Sequence, residues 1–312
     1  MDVRIEALKR GFGDNDIDRK TLETLDLCLN RIKNEMSCRL NKPLKEVDLL
    51  TLAKPQLYLT SEEWDMAKRF LRELPQLRKK YRLPVFEHLP DVFLYDKGLV
   101  FLPPKAIKYL KDKDFIDGGG YIGDSILVFK KYLPRKIWSF EISDENVSLF
   151  QKTIELNSIS PDDCELIVNG LGEKDETLSC QVASGLGANL HTQGEKEIQI
   201  RSIDSFVREK NITIGCIKLD VEGYESATIR GSLETLKRDR PVLLLSIYHN
   251  PYDFFELKPY LESLNLNYRF LIRQTTPASI PGMPFRHKLF GNQSLVPLVE
   301  VSLIAYPAEL DE

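Results

Sequence analysis

Apolar residues at Leu25, Leu29, Ile32 and Met36 recur at helical spacing behind a polar start, so the beginning of the chain reads as a helix with one buried stripe. A second helix is predicted from Thr60. Thr60 and Glu63 form a T-x-x-E capping box, and Trp64, Ala67, Phe70, Leu71 and Leu74 supply the apolar side. Pro75 is expected to end or kink it. Pro84 and Pro90 mark a joint, after which residues 92–102 read as two short strands around the turn Asp96-Lys97-Gly98.

From Lys113 the period changes. Candidate strands at 114–117, 137–141, 164–168, 216–220, 242–248, 268–272 and 299–306 alternate with helix-compatible segments at 124–132, 144–157, 203–210, 225–237 and 253–264. That alternation is how a parallel sheet with crossover helices is written. The expectation is an α/β fold in two parts: a helical N-terminal segment, 1–83, and an α/β domain, 84–312, that opens with a short hairpin.

Composition narrows the function classes. A chain of 312 residues, 42% hydrophobic, can bury a large core. A net charge of -4 gives no positive field for a phosphate backbone, so nucleic acid is not an expected partner. Cys28, Cys38, Cys164, Cys180 and Cys216 are odd in number and widely spaced. They suggest neither a disulfide framework nor a zinc site, and a reducing cytoplasm fits best. No stretch approaches the roughly 18 apolar residues of a membrane span, so any membrane contact would be peripheral.

The first chemical signal is F-I-D-G-G-G-Y-I-G-D-S over residues 115–125. An apolar strand ends in an aspartate, a glycine-rich bend follows, and a helix begins. The bend needs permissive backbone angles and lets a ligand approach the main chain. The second signal is Trp138-Ser-Phe-Glu141, a strand ending in an acid. A carboxylate there accepts both ribose hydroxyls of an adenosine ligand; alone, such a glutamate is usually just solvated. Glycines at 118, 120 and 123 leave NAD open on spacing. Asp117 argues against it, because a carboxylate repels a diphosphate but suits the ammonium of a methionine-type tail.

These motifs resemble those of FkbM-family methyltransferases. D-G-G-G-Y-I-G at 117–123 resembles the family's D-x-G-A-N-x-G, Phe140-Glu141 its F-E-P, and N-G-L-G-E-K at 169–174 its N-A-A-x-G-D-K. I-K-L-D-V-E-G-Y-E at 217–225 is similar to I-K-I-D-V-E-G-x-E. The resemblance spans roughly residues 91–308 and leaves out the helical start. Gly120, Tyr121 and Ile142-Ser143 depart from it. It implies a doubly wound, mostly parallel seven-stranded sheet with its last strand antiparallel, and S-adenosyl-L-methionine (SAM) as cofactor. The cofactor site so implied takes in Asp117, Gly118, Gly119, Tyr121, Gly123, Glu141, Asn169, Gly170 and Asp220. It also implies a hydroxyl acceptor on a sugar, glycan or secondary metabolite.

Methyl transfer requires that the acceptor be positioned and its proton removed. Asp220, Glu222 and His249 are the expected catalytic residues, with His249 the first choice as base because an imidazole suits neutral pH. Each has a bland alternative: helix capping for the acids, a simple strand-end hydrogen bond for the histidine. His88, His191 and His287 lie in loop-like contexts. Asp220, Glu222 and His249 could instead hold a magnesium or manganese ion, although ordinary methyl transfer needs none and the reading adopted is metal-free. The acceptor loops are expected at 183–193 and 275–295. The competing readings are a non-catalytic SAM- or nucleotide-binding module and an NAD-dependent oxidoreductase.

Overall fold

The computed structural model describes residues 2–41, 59–180, 196–277 and 300–311. Helices α1 (Asp2–Lys9) and α2 (Asp16–Asn41) lead the chain. Leu25, Leu29 and Ile32 are buried as their spacing predicts, while the side chain of Met36 lies outside the described residues. Leu8, Leu25 and Leu29 share one buried cluster with Ile217, Leu243 and Phe254 of the α/β region. The helical start is therefore packed onto the sheet rather than standing apart from it.

Helix α3 (Ser61–Lys80) begins on the predicted capping box, with Thr60 accepting from the Glu63 amide and Glu63 accepting from the Thr60 amide. It continues through Pro75, so the proline does not end it. Pro75 is on the exposed side, where water can take the carbonyl its ring leaves unbonded. Leu71 is exposed as well.

The predicted hairpin at 92–102 does not form. Its place is taken by a short helix, α4 (Pro90–Phe93), and a 3-10 stretch, Asp96–Phe101. Val92, Phe93 and Leu99 are buried in one core and Leu94 in a neighbouring cluster, so the two apolar runs that read as strands are short turns folded onto the core. Asp96, Lys97 and Gly98 all take left-handed backbone angles, with φ of 49, 56 and 105°. Asp96 is held there by Lys131 and by the Tyr132 hydroxyl at 2.7 Å. Helix α5 (Pro104–Leu110) follows.

The main sheet contains β1 (Asp114–Gly118), β2 (Ile137–Phe140), β3 (Cys164–Ile167), β7 (Ile214–Leu219), β8 (Val242–Ser246), β9 (Tyr268–Gln274) and β10 (Val301–Pro307) in the order β3-β2-β1-β7-β8-β10-β9. All are parallel except β10, which runs antiparallel to both neighbours. This is the expected seven-stranded sheet. Its inner strands are apolar on both faces. Ile116, Ile217 and Leu243 face one core, and Phe115, Cys216 and Leu244 face the other.

Helices cover both faces, as a doubly wound sheet requires. The first core takes residues of α8 (Ile203–Lys210), α9 (Glu225–Arg230), α10 (Leu233–Asp239) and α11 (Pro251–Ser263). The second takes residues of α5, α6 (Asp124–Phe129) and α7 (Asp144–Asn157). The segment predicted as one helix at 225–237 is thus two. A smaller sheet, unforeseen in the sequence, joins β4 (Gly170–Leu171), β6 (Lys196–Arg201) and β5 (Glu176–Cys180). β1 has β2 on one side and β7 on the other, so the chain reverses its winding there and a crevice opens at the carboxyl ends.

Candidate active site

One half of the crevice is made by the glycine loop and the end of β2. Gly119 and Gly120 donate their amides to the Phe140 carbonyl at 3.0 and 2.8 Å. Gly119 sits at φ 74°, and a Cβ there would lie 1.9 Å from the Asp220 carbonyl oxygen, so only glycine is accommodated. Tyr121, at φ 47°, donates its amide to Glu141 Oε2 at 2.8 Å. The amides of Ile142 and Ser143 donate to Glu141 Oε1 at 2.7 and 2.9 Å, and the Asn146 side chain adds a fourth partner. Burial outweighs these bonds and raises the Glu141 carboxyl above its ordinary value.

Beneath this loop Asp117 is fully buried. It accepts from the Ser139 hydroxyl at 2.8 Å and pairs with Lys218 at 3.0 Å. Lys218 also donates to the carbonyls of Gly118 and Gly119, at 3.0 and 2.6 Å. The cation that Asp117 meets is thus the protein's own lysine, and through it Asp117 steadies the glycine loop.

The other half is built from charged side chains that arrive from distant positions. Asp220 follows β7. Its Oδ2 accepts from Lys97 at 3.1 Å and its Oδ1 from the Tyr248 hydroxyl at 3.1 Å. Lys97, on its left-handed turn, also reaches Asp91 at 2.5 Å and Glu300 at 3.9 Å. Burial would lower the Lys97 ammonium, but Asp91, Asp220 and Glu300 prevail and hold it well above the usual lysine value. Burial likewise works against Asp220, where Lys97, Lys218 and His249 win and keep it ionised.

Glu225, the first residue of α9, fixes the turn after Asp220. It accepts from the amides of Val221 and Gly223 at 2.8 and 2.9 Å and from His249 Nδ1 at 2.9 Å. His249 Nε2 lies 3.4 Å from Asp220 Oδ1 and 3.6 Å from Glu222 Oε2. Burial disfavours the imidazolium, yet Glu225 and Glu222 raise its pKa to about 10. Burial, only partly offset by His249, pushes Glu222 up to about 7.

The crevice between the halves is a cleft of about 880 Å³, open mouth included. The family model of the methyltransferase FkbM domain matches residues 117–270.

The chain carries an FkbM methyltransferase domain.

Among solved structures, the methyltransferase FkbM of Methylobacillus flagellatus KT aligns at 17% identity and a TM-score of 0.48, over 78% of this chain and 61% of that one. The chain thus spans under two thirds of that protein. The O-methyltransferase of Bacillus cereus in complex with SAH aligns at 13% identity and a TM-score of 0.41, over 80% of this chain and 98% of that one. No curated protein matches the chain.

Within the FkbM domain and its flanks, the cleft brings together Gly119, Tyr121, Glu141, Asn169, Gly170, Asp220 and Glu222 of the predicted residues. Asp117, Gly118, Gly123 and His249 do not line it. His249 stands behind Asp220 and Glu222, its side chain only 5% exposed, a poor position for a base on the acceptor. His88 is buried, 2.8 Å from the Tyr81 carbonyl, and His191 and His287 lie outside the described residues. So do the whole predicted acceptor loop 183–193 and all but 275–277 of the other.

Sequence reading missed Lys97, Asp124, Lys218 and Glu300, all of which line the cleft. Lys218 was within reach as the lysine of the I-K-L-D motif. Lys97 had only a turn signal, and Glu300 had none.

Proposed function

We propose that the protein is a SAM-dependent O-methyltransferase acting on a hydroxyl of a sugar, glycan or secondary metabolite. The carrying observation is the pair of opposed carboxylate sets: Glu141 on one side of the cleft, Asp220 and Glu222 on the other. Among the described lining residues, Asp124, Glu141, Asp220, Glu222 and Glu300 outnumber Lys97 and Lys218. An acid-rich cleft attracts a donor carrying a sulfonium and an ammonium, and repels a dinucleotide diphosphate.

When bound, SAM supplies an electrophilic methyl group for in-line displacement. The residues of this chain do the rest. Glu141 would hold the ribose hydroxyls, exchanging some of its present amide partners for them, since an ionised carboxylate offers about four acceptor sites. Gly119 and Tyr121 would present backbone to the ligand, with Asn169 and Gly170 beside them. Asp220 and Glu222 would orient the acceptor hydroxyl. The carboxylate of Asp220, kept ionised by Lys97, is suited to accept a hydrogen bond from it. Tyr248 lines the cleft without filling it, which favours an enzyme over a binding module.

Calorimetry tests the reading. SAM and its demethylated product should bind and NAD should not. Glu141→Ala should weaken SAM by about 1.5 to 3 kcal/mol, the range for a hydrogen bond to a charged group. Binding of NAD without SAM would overturn the proposal. Labelled SAM offered with fractionated glycans and small metabolites would then identify the acceptor class.

A further inference from the structure

We propose that Asp220, Glu222 and His249 form a binding site for one divalent cation, of the manganese or magnesium kind, at the acceptor edge of the cleft. His249 Nδ1 is 2.9 Å from Glu225 Oε1, and because a carboxylate only accepts, Nδ1 carries the proton of that bond. The second nitrogen, Nε2, is thereby turned toward Asp220 Oδ1 at 3.4 Å and Glu222 Oε2 at 3.6 Å. It is buried, and no hydrogen bond reaches it.

Neighbouring ligand atoms of an octahedral ion with bonds of about 2.1 Å stand about 3 Å apart. The two separations from Nε2 to those oxygens, 3.4 and 3.6 Å, are close to that spacing. Two carboxylate oxygens and one imidazole nitrogen form a donor set for magnesium or manganese. The carboxylate that orients the histidine from behind is a recurrent support of metal-ligating imidazoles.

The surroundings fit this assignment. Glu225 is already committed to two amides and the imidazole, so it acts as support rather than ligand. Lys97 occupies the other oxygen of Asp220 and is shared with Asp91 and Glu300, while Oδ1, which accepts from the Tyr248 hydroxyl at 3.1 Å, is the oxygen turned to the site. Glu222 is held at φ 54°, a left-handed backbone that a non-glycine residue keeps only under constraint from its surroundings. Asp220 and Glu222 line the cleft while His249 lies behind them, so remaining coordination positions would open toward the acceptor. There the ion would grip adjacent oxygens of a diol. That role rests on the methyltransferase reading; the binding itself does not.

The test is a Mn²⁺ titration of the full-length chain without methyl donor, followed by electron paramagnetic resonance. About one Mn²⁺ per chain should bind, and pulsed spectra should show nitrogen coupling from a coordinated imidazole. His249→Gln should remove that coupling, with folding checked by circular dichroism. Asp220→Asn should abolish binding. Glu225→Gln should weaken binding about 10- to 100-fold, as loss of a supporting partner does. Mn²⁺ that stays free at millimolar concentration overturns the site and leaves the imidazole in a plain ion pair. Bound Mn²⁺ without nitrogen coupling also overturns it. SAM is titrated in parallel: SAM binding with no Mn²⁺ binding would sink the metal site alone, and the reverse would sink the methyltransferase reading alone.

Discussion

The two halves of the cleft are built on different principles. The side carrying Gly119, Tyr121 and Glu141 is mostly backbone: amides donate to the Phe140 carbonyl and to one carboxylate, all within residues 119–146. The side carrying Asp220 is a lattice of charges drawn from positions 91, 97, 220, 222, 225, 249 and 300. Backbone geometry is specified locally and tolerates little variation, which suits a fixed ligand. A charge lattice can be retuned one side chain at a time, which suits an acceptor that varies. The price is a set of buried charges that must remain mutually compensated.

The sharpest way to break this contrast is Lys97→Met. It leaves Asp91, Asp220 and Glu300 without their shared cation, and removing one partner of a buried pair costs about 3 to 5 kcal/mol. Urea denaturation should report that loss. A cost under 1 kcal/mol would mean that the lattice is solvated rather than buried. Gly119→Ala probes the backbone half. A left-handed φ penalty of about 1 to 2 kcal/mol combines with a clash against a main-chain oxygen, where overpacking typically costs about 1 to 3 kcal/mol. The melting temperature should drop and SAM binding should be lost together; a stable variant with normal affinity would contradict the close approach seen here.

How much of each half was legible follows the same division. Gly119, Tyr121, Glu141 and Asn169-Gly170 were readable because a strand end, a bend and a helix start lie in one stretch of chain. Asp220 and Glu222 were readable for the same reason. Lys97 was not. Its segment reads as two apolar strands around a turn signal, and only the burial of Val92, Phe93 and Leu99 beneath the short turns shows otherwise. Asp117 illustrates the opposite error: its motif suggested a ligand contact, but Lys218, on the neighbouring strand, takes its charge. Cross-strand pairing of that kind is set by sheet order, which spacing does not disclose. Secondary structure was legible wherever local chemistry ruled, as at the Thr60 capping box and at Asp144–Asn157. The smaller sheet was not: Ile198 and Ile200 alternate with polar residues in β6, but two buried positions make only a short signal.

A smaller effect separates the halves by pH. Asp124 lines the cleft near Lys97, and burial raises its carboxyl from 3.8 to about 6. Its folded-state value lies above its unfolded one, so stability is fully present below about pH 4 and is lost as pH rises through about 6. Asp124→Asn should therefore gain on the parent by up to about 3 kcal/mol at pH 7.5 and by nothing at pH 3.5. Denaturation midpoints at the two pH values decide it; equal differences at both would place Asp124 in water.

The left-handed turn that carries Lys97 has a consequence for inheritance. Its ammonium answers to Asp91, Asp220 and Glu300 at once, and its neighbour Asp96 answers to Lys131 and Tyr132. A lineage cannot drift at any one of these positions without stranding the others. Across descendants, positions 91, 97, 220 and 300 are expected to change as a block or not at all. The turn thus behaves as a single hereditary character spread over four distant codons.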